Sequence, residues 1–342
     1  MRSRSSARGT ATFAAATSRL LRATILLSTS VIVAIGLVGS EGNAQGDTAP
    51  ILAPASITEP ASIAAPASNW PVIALVIGLA IIAVVAATRA MRLNGAQQSA
   101  WRYGSSHSFI LFVGLLLVAP SGGRLFGEIL GVAADDPSLR GVVIHALGSF
   151  ATQLLMCLPI LFLGQTAIAC ASQSSPLSPW SCWRAAGLGV IAMGIAWFPL
   201  QAIGSIAGSI QLYYGGAQPP VEGHSTFELL RTSPDLLLTS AMVVVVLFCA
   251  PVAEEFCFRG ALQRGLRGLP LRPWFAILIT SAVFAAIHIE ALTAGGVASG
   301  LVTLVALAVM LGWLMERTGR IIAPIVAHAL FNLINLILFW CA

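Results

Sequence analysis

Lysine is absent from this chain of 342 residues, and all 18 of its basic side chains are arginine. Charge of either sign is scarce: 9% of the residues are charged, against about 25% in an ordinary soluble domain. That scarcity excludes a water-covered globule, and 57% hydrophobic residues point to a polytopic, all-α membrane protein, since helices satisfy their own backbone in lipid. Aspartate occurs only at Asp47, Asp135, Asp136 and Asp235, in loops or at a segment end, which excludes a pair of membrane-embedded aspartates acting together. The six cysteines show no CxxC spacing, so neither a zinc knuckle nor a disulfide framework is indicated, and free thiols in apolar stretches are expected. HExxH is missing too, because the His-x-Glu at His288 and Glu290 lacks its second histidine. Ser205, Ser209, Ser240 and Ser281 fall in apolar segments without a nucleophile elbow. The net charge of +5 comes from arginines placed between apolar segments, a pattern that orients membrane helices and does not form a nucleic-acid patch.

What is present divides the chain into four parts. Residues 1–44 carry Arg2, Arg4, Arg8, Arg19 and Arg22, then an apolar run and a small-residue site, the layout of a signal peptide or of an N-terminal anchor. Residues 45–69 are an Ala/Pro-rich linker, expected outside the membrane. Residues 70–184 and 185–342 hold eight apolar segments, near 70–90, 108–132, 141–170, 185–210, 235–258, 273–291, 297–315 and 321–341. The second contains Pro120-Ser121-Gly122-Gly123-Arg124, where a break is expected. With the linker outside, Arg89, Arg92, Arg102, Arg184, Arg264, Arg267, Arg272, Arg317 and Arg320 all fall on the cytoplasmic side. The C-terminus is then external, and a bacterial inner membrane is the expected location.

Six polar residues stand out inside the last segments: Glu254, Glu255, Arg259, His288, His328 and Asn332. An ionisable residue at mid-membrane costs about 2.5–3.5 kcal/mol even on the lenient insertion scale, so a group of them marks a functional site. They form the patterns Glu254-Glu255-x-x-x-Arg259, Phe284-x-x-x-His288 and His328-x-x-x-Asn332, each closing one helical turn. Glu255 and Arg259 share a face in the favourable acid-first order, whereas Glu254 points about 100° away and lacks that partner. Glu255 with Arg259 therefore reads as a brace, and Glu254 as the carboxylate free for chemistry. Hydrolysis of a peptide bond needs a base for water, a group that orients the water, and donors for the oxyanion. Glu254 fits the first role, His288 the second, and His328 with Asn332 the third. The bland reading is a buried ion network with Asn332 as interhelical glue.

At these three motifs the chain resembles the CAAX-protease and bacteriocin-processing family (CPBP, or Abi), a group of intramembrane glutamic endopeptidases. The family pattern EExxxR, FxxxH and HxxxN is matched at Glu254, Glu255, Arg259, Phe284, His288, His328 and Asn332, with Gly260 and Gly319-Arg320-Ile321-Ile322-Ala323-Pro324 as fitting flanks. The resemblance extends over roughly 185–341. It implies an eight-helix bundle with a polar cavity, water activation by Glu254 and His288, an oxyanion held by His328 and Asn332, and no cofactor. The implied partners are membrane lipids and a membrane-associated protein or peptide, as in CaaX processing. Two alternatives stand beside it. Glu254, His288 and His328 are also a two-His-one-carboxylate set for zinc with an open water position, and the same residues would serve a transporter or scaffold in which Glu and His relay protons or join helices.

Overall fold

A helix in lipid must bond every backbone group internally, and the chain answers with helices throughout. The computed structural model describes residues 70–88, 93, 105–170, 181–215, 225–292 and 297–341, all within one unit, Pro66–Ala342. The expected signal or anchor segment (1–44) and the linker (45–69) lie outside the described residues. The helices are α1 (Trp70–Thr88), α2 (Ser105–Ile129), α3 (Leu139–Cys170), α4 (Cys182–Gly215), the short α5 (Ser225–Thr232), α6 (Leu236–Arg267), α7 (Pro273–Ile287), α8 (Val297–Thr318) and α9 (Ile322–Cys341). No sheet occurs among the described residues.

The eight expected apolar segments coincide with α1 to α4 and α6 to α9. Among the described residues six helices are long and apolar enough to cross a membrane, whereas the apolar stretch Val72–Val85 of α1 and the whole of α7 are shorter. Large apolar side chains such as Ile110, Leu155, Ile191, Ile279 and Ile337 face outward, as lipid-facing positions do. The protein is an integral, multi-pass, all-α membrane protein.

Two elements differ from the sequence reading. α2 is not broken at Pro120: it continues to Ile129, the Ser121 hydroxyl donates to the Leu117 carbonyl at 3.0 Å, and Gly122 and Gly123 lie against Thr152 and Ser149 of α3. Close packing on a neighbour and a hydroxyl that bonds back along the helix are what let a membrane helix carry proline. α6 does not stop near 258 but runs to Arg267. The Asp235 carboxylate caps its start, accepting from the Leu237 and Leu238 amides at 2.9 and 3.0 Å. Two of its stretches, Val245–Cys249 and Phe256–Gln263, open into π-helical turns.

Three buried clusters hold the helices together. One joins α2, α3, α6, α7 and α8 through Phe112, Leu115, Phe258, Phe284 and Ala308. A second joins α4, α8 and α9 through Met193, Leu200, Leu311, Leu314 and Ala327. A third joins α3, α5, α6 and α9 through Val143, Leu230, Met242 and Leu336. α9 lies close to α4 because Gly189 has no side chain: a Cβ there would collide with the Ala323 carbonyl oxygen. Gly189→Val should push α9 off α4 and destabilise the protein by about 1–3 kcal/mol, the range for overpacking. A lowered melting temperature of the detergent-solubilised protein is the check.

Candidate active site

Fifteen residues of α7 rise about 22 Å, short of the roughly 30 Å of hydrocarbon, so this helix ends inside the depth that its neighbours span. Its closing residue is His288, which is thereby presented to the middle of α6. His328 comes from the first half of α9, and Glu254 and Glu255 from the α6 segment between its two widened stretches. With Arg259, which is paired to Glu255, five of the six polar residues singled out from the sequence thus meet at one place.

Glu255 and Arg259 form the base of the site and are both fully buried. Arg259 Nη1 donates to Glu255 Oε1 at 2.9 Å, and Nη2 donates to the Ala308 carbonyl of α8 at 3.0 Å. Its guanidinium also lies over the Phe284 ring, 4.9 Å from the centroid, a cation–π contact out of reach of water. The same Glu255 oxygen takes a second bond at 2.9 Å, from His328 Nδ1. Phe284 stacks in turn against His288 at 4.4 Å, so the Phe284-x-x-x-His288 pattern is one ring packed on another.

Glu254 leaves the brace and faces the imidazoles. Its Oε2 is 3.6 Å from His288 Nε2 and 3.9 Å from His328 Nε2, and this buried oxygen makes no hydrogen bond among the described residues. The partners of the other ring nitrogens fix the tautomers. A backbone carbonyl only accepts, so His288 Nδ1, 2.7 Å from the Phe284 carbonyl, carries a proton. A carboxylate likewise only accepts, so His328 Nδ1 carries one toward Glu255. In neutral imidazoles both Nε2 atoms then present lone pairs, and three acceptors surround one point with no proton between them. Such a point calls for a donor: a water, or a proton on one of the rings.

Asn332, the sixth of these residues, meets α6 through its side chain. It shares the α9 face with His328, but its Nδ2 donates to the Val246 carbonyl of α6 at 2.8 Å, so one of its two N–H bonds is committed to backbone. Glu254, His288 and His328 are the set that zinc would need. Among the described residues, however, no group of three or more His, Cys, Asp or Glu side chains stands in a metal-holding arrangement. The described cysteines are free thiols, and Cys157, Cys249 and Cys257 are buried.

One polar group escaped the sequence reading. Gln263 Nε2 donates to the Gly312 carbonyl and to Glu316 Oε1, both at 3.1 Å, and Arg267 Nε donates to Glu316 Oε2 at 3.1 Å. Glu316 is a nearly buried carboxylate in α8, and the rule that picked out Glu254 would have found it had that segment been extended past 315.

These features define a class: a polytopic helical protein with a carboxylate and two imidazoles gathered in its membrane-spanning part. Residues 236–334 match the family model described as "Type II CAAX prenyl endopeptidase Rce1-like". The chain therefore carries an Rce1-like domain, of the CAAX-protease and bacteriocin-processing family, from the start of α6 into α9, and all three motifs lie inside it. The match spans under a third of the chain and supports a membrane protease. No curated protein and no solved structure matches the chain.

Removing one partner of the buried pair, as in Arg259→Met, leaves Glu255 uncompensated and should cost about 3–5 kcal/mol, whereas replacing both by apolar residues should recover much of that. Melting temperatures of the Arg259→Met and Glu255→Leu/Arg259→Met proteins decide it; equal losses would contradict the pairing.

Proposed function

We propose that the Rce1-like domain is an intramembrane endopeptidase that hydrolyses peptide bonds of membrane-associated or lipidated protein substrates with water activated by Glu254. The observation that carries this reading is the meeting of Glu254 Oε2 with two Nε2 atoms whose rings have already committed their Nδ1 protons elsewhere. A water bridging these acceptors would donate to Glu254 and to His288, which sets its lone pair toward a scissile carbonyl. As the oxygen attacks, Glu254 takes the proton and later delivers it to the departing amine. His328 enters as the imidazolium, its Nδ1 side balanced by Glu255 and its Nε2–H turned toward the developing oxyanion.

The short α7, ending inside the membrane depth, fits a substrate whose cleaved bond lies below the surface, such as the tail of a lipidated protein. In this reading the enzyme sits in a bacterial inner membrane with its loop arginines cytoplasmic and its C-terminus external.

Terminal proteomics of membranes from wild-type and Glu254→Gln cells tests the assignment. New amino termini present in the wild type should be lost from the mutant, and cleavage by the purified protein should fall by about 10²–10⁴, the contribution of a general base. Products that persist unchanged in the mutant would sink the protease reading in favour of a scaffold or transporter. Cleavage should also survive metal-free preparation and chelator. Loss there, with recovery on added zinc, would replace directly activated water by a metal-bound one.

A further inference from the structure

The Val246 carbonyl lies in the first widened stretch of α6, and the backbone leaves it without a donor. In a regular helix it would accept from the amide of residue 250, but the Ala250 N–H reaches back to the Val245 carbonyl instead. In a π-turn it would accept from residue 251, which is Pro251 and has no N–H. An unpaired carbonyl at membrane depth is costly, and Asn332 of α9 answers it with an N–H at 2.8 Å. One turn earlier on α9, His328 is bonded to Glu255 of α6. Two ties from one face of α9 therefore hold α6 at two heights, and a tie at two heights fixes both the slide and the rotation of one helix on the other.

From this geometry we infer a positioning role for Asn332: through one of its two N–H bonds it pegs the carbonyl that Pro251 orphans, fixes the register of α6 on α9, and so keeps His328 opposite Glu254. The catalytic half of this inference rests on the endopeptidase reading above. The pegging half does not.

Pro251→Ala separates the two halves, because it returns a backbone N–H to α6 and lets the helix satisfy its own carbonyl. The full-length wild type, Asn332→Ala, Pro251→Ala and the double variant are to be compared in detergent. Melting temperature is read without substrate, and cleavage on a prenylated, internally quenched CaaX peptide. Asn332→Ala should lower the melting temperature by several degrees and slow cleavage by about tenfold or more, as for a buried acceptor left unpaired. In the Pro251→Ala background the melting loss should largely vanish, and the loss of cleavage should shrink with it. Where Asn332→Ala does not accumulate, Asn332→Ser gives a milder version of the same cycle.

Equal melting losses in the two backgrounds would overturn the peg. Restored melting with no recovery of cleavage would show that the tie does not position the site, and would overturn the positioning role. A wild type that cleaves nothing would sink the endopeptidase reading, while the melting cycle would still decide the peg.

Discussion

Arg259 and Glu255 carry opposite charges with no exposure to solvent, and charges in that position persist only when paired and hydrogen-bonded. Every tie of this pair reaches another helix. Arg259 spends one Nη on Glu255, the other on the Ala308 carbonyl of α8, and the face of its guanidinium on Phe284 of α7. Glu255 shares its bonded oxygen with His328 of α9. Three helices, α7, α8 and α9, are thus set against one ion pair on α6. Buried pairs are poor sources of net stability but good determinants of which arrangement forms. That suits a site in which two rings stand within 4 Å of one carboxylate oxygen.

The widened stretches of α6 extend this order along its length. Glu255, Arg259, Gln263 and Arg267 step by four, and three of them meet Ala308, Gly312 and Glu316, which step by four on α8. On a regular helix such a row drifts by about 40° per step and would swing off its neighbour within two or three steps. The π-turns of Phe256–Gln263 take back part of that drift, so the polar row stays against α8 as far as Arg267. The brace beneath the site and the Gln263–Glu316–Arg267 network are one continuous seam.

How much of this can be read from the chain follows from where each feature gets its cause. Polar residues in apolar segments are local anomalies, so Glu254, Glu255, Arg259, His288 and His328 could be found without a partner in view, and i,i+4 spacing separated Glu254 from the brace. Apolar length gave the helices, although length alone did not reveal that α7 is too short to cross. Pro120 misled because its neighbours Ser121 and the paired glycines repair the helix, which is knowable only with α3 in place. The π-turns, the orphaned Val246 carbonyl and its peg depend on the meeting of α6 with α9, and no single segment announces them. Pro251 was the available signal: a proline three residues before Glu254 leaves some carbonyl unserved, and an amide side chain elsewhere must serve it.

Different partners stand behind the two histidines. His288 Nδ1 donates to the Phe284 carbonyl, one turn back on its own helix, so its ring is set by α7. His328 Nδ1 donates to the Glu255 carboxylate, so its ring is set by α6, the helix that also carries Glu254. With both Nδ1 atoms committed, each ring is left with its Nε2 toward Glu254 Oε2, at 3.6 and 3.9 Å. On the endopeptidase reading a water would be directed at that point, and on the scaffold reading the same rings would only join α6, α7 and α9. The atoms behind the rings serve both readings equally, and the chemistry at Glu254 is what separates them.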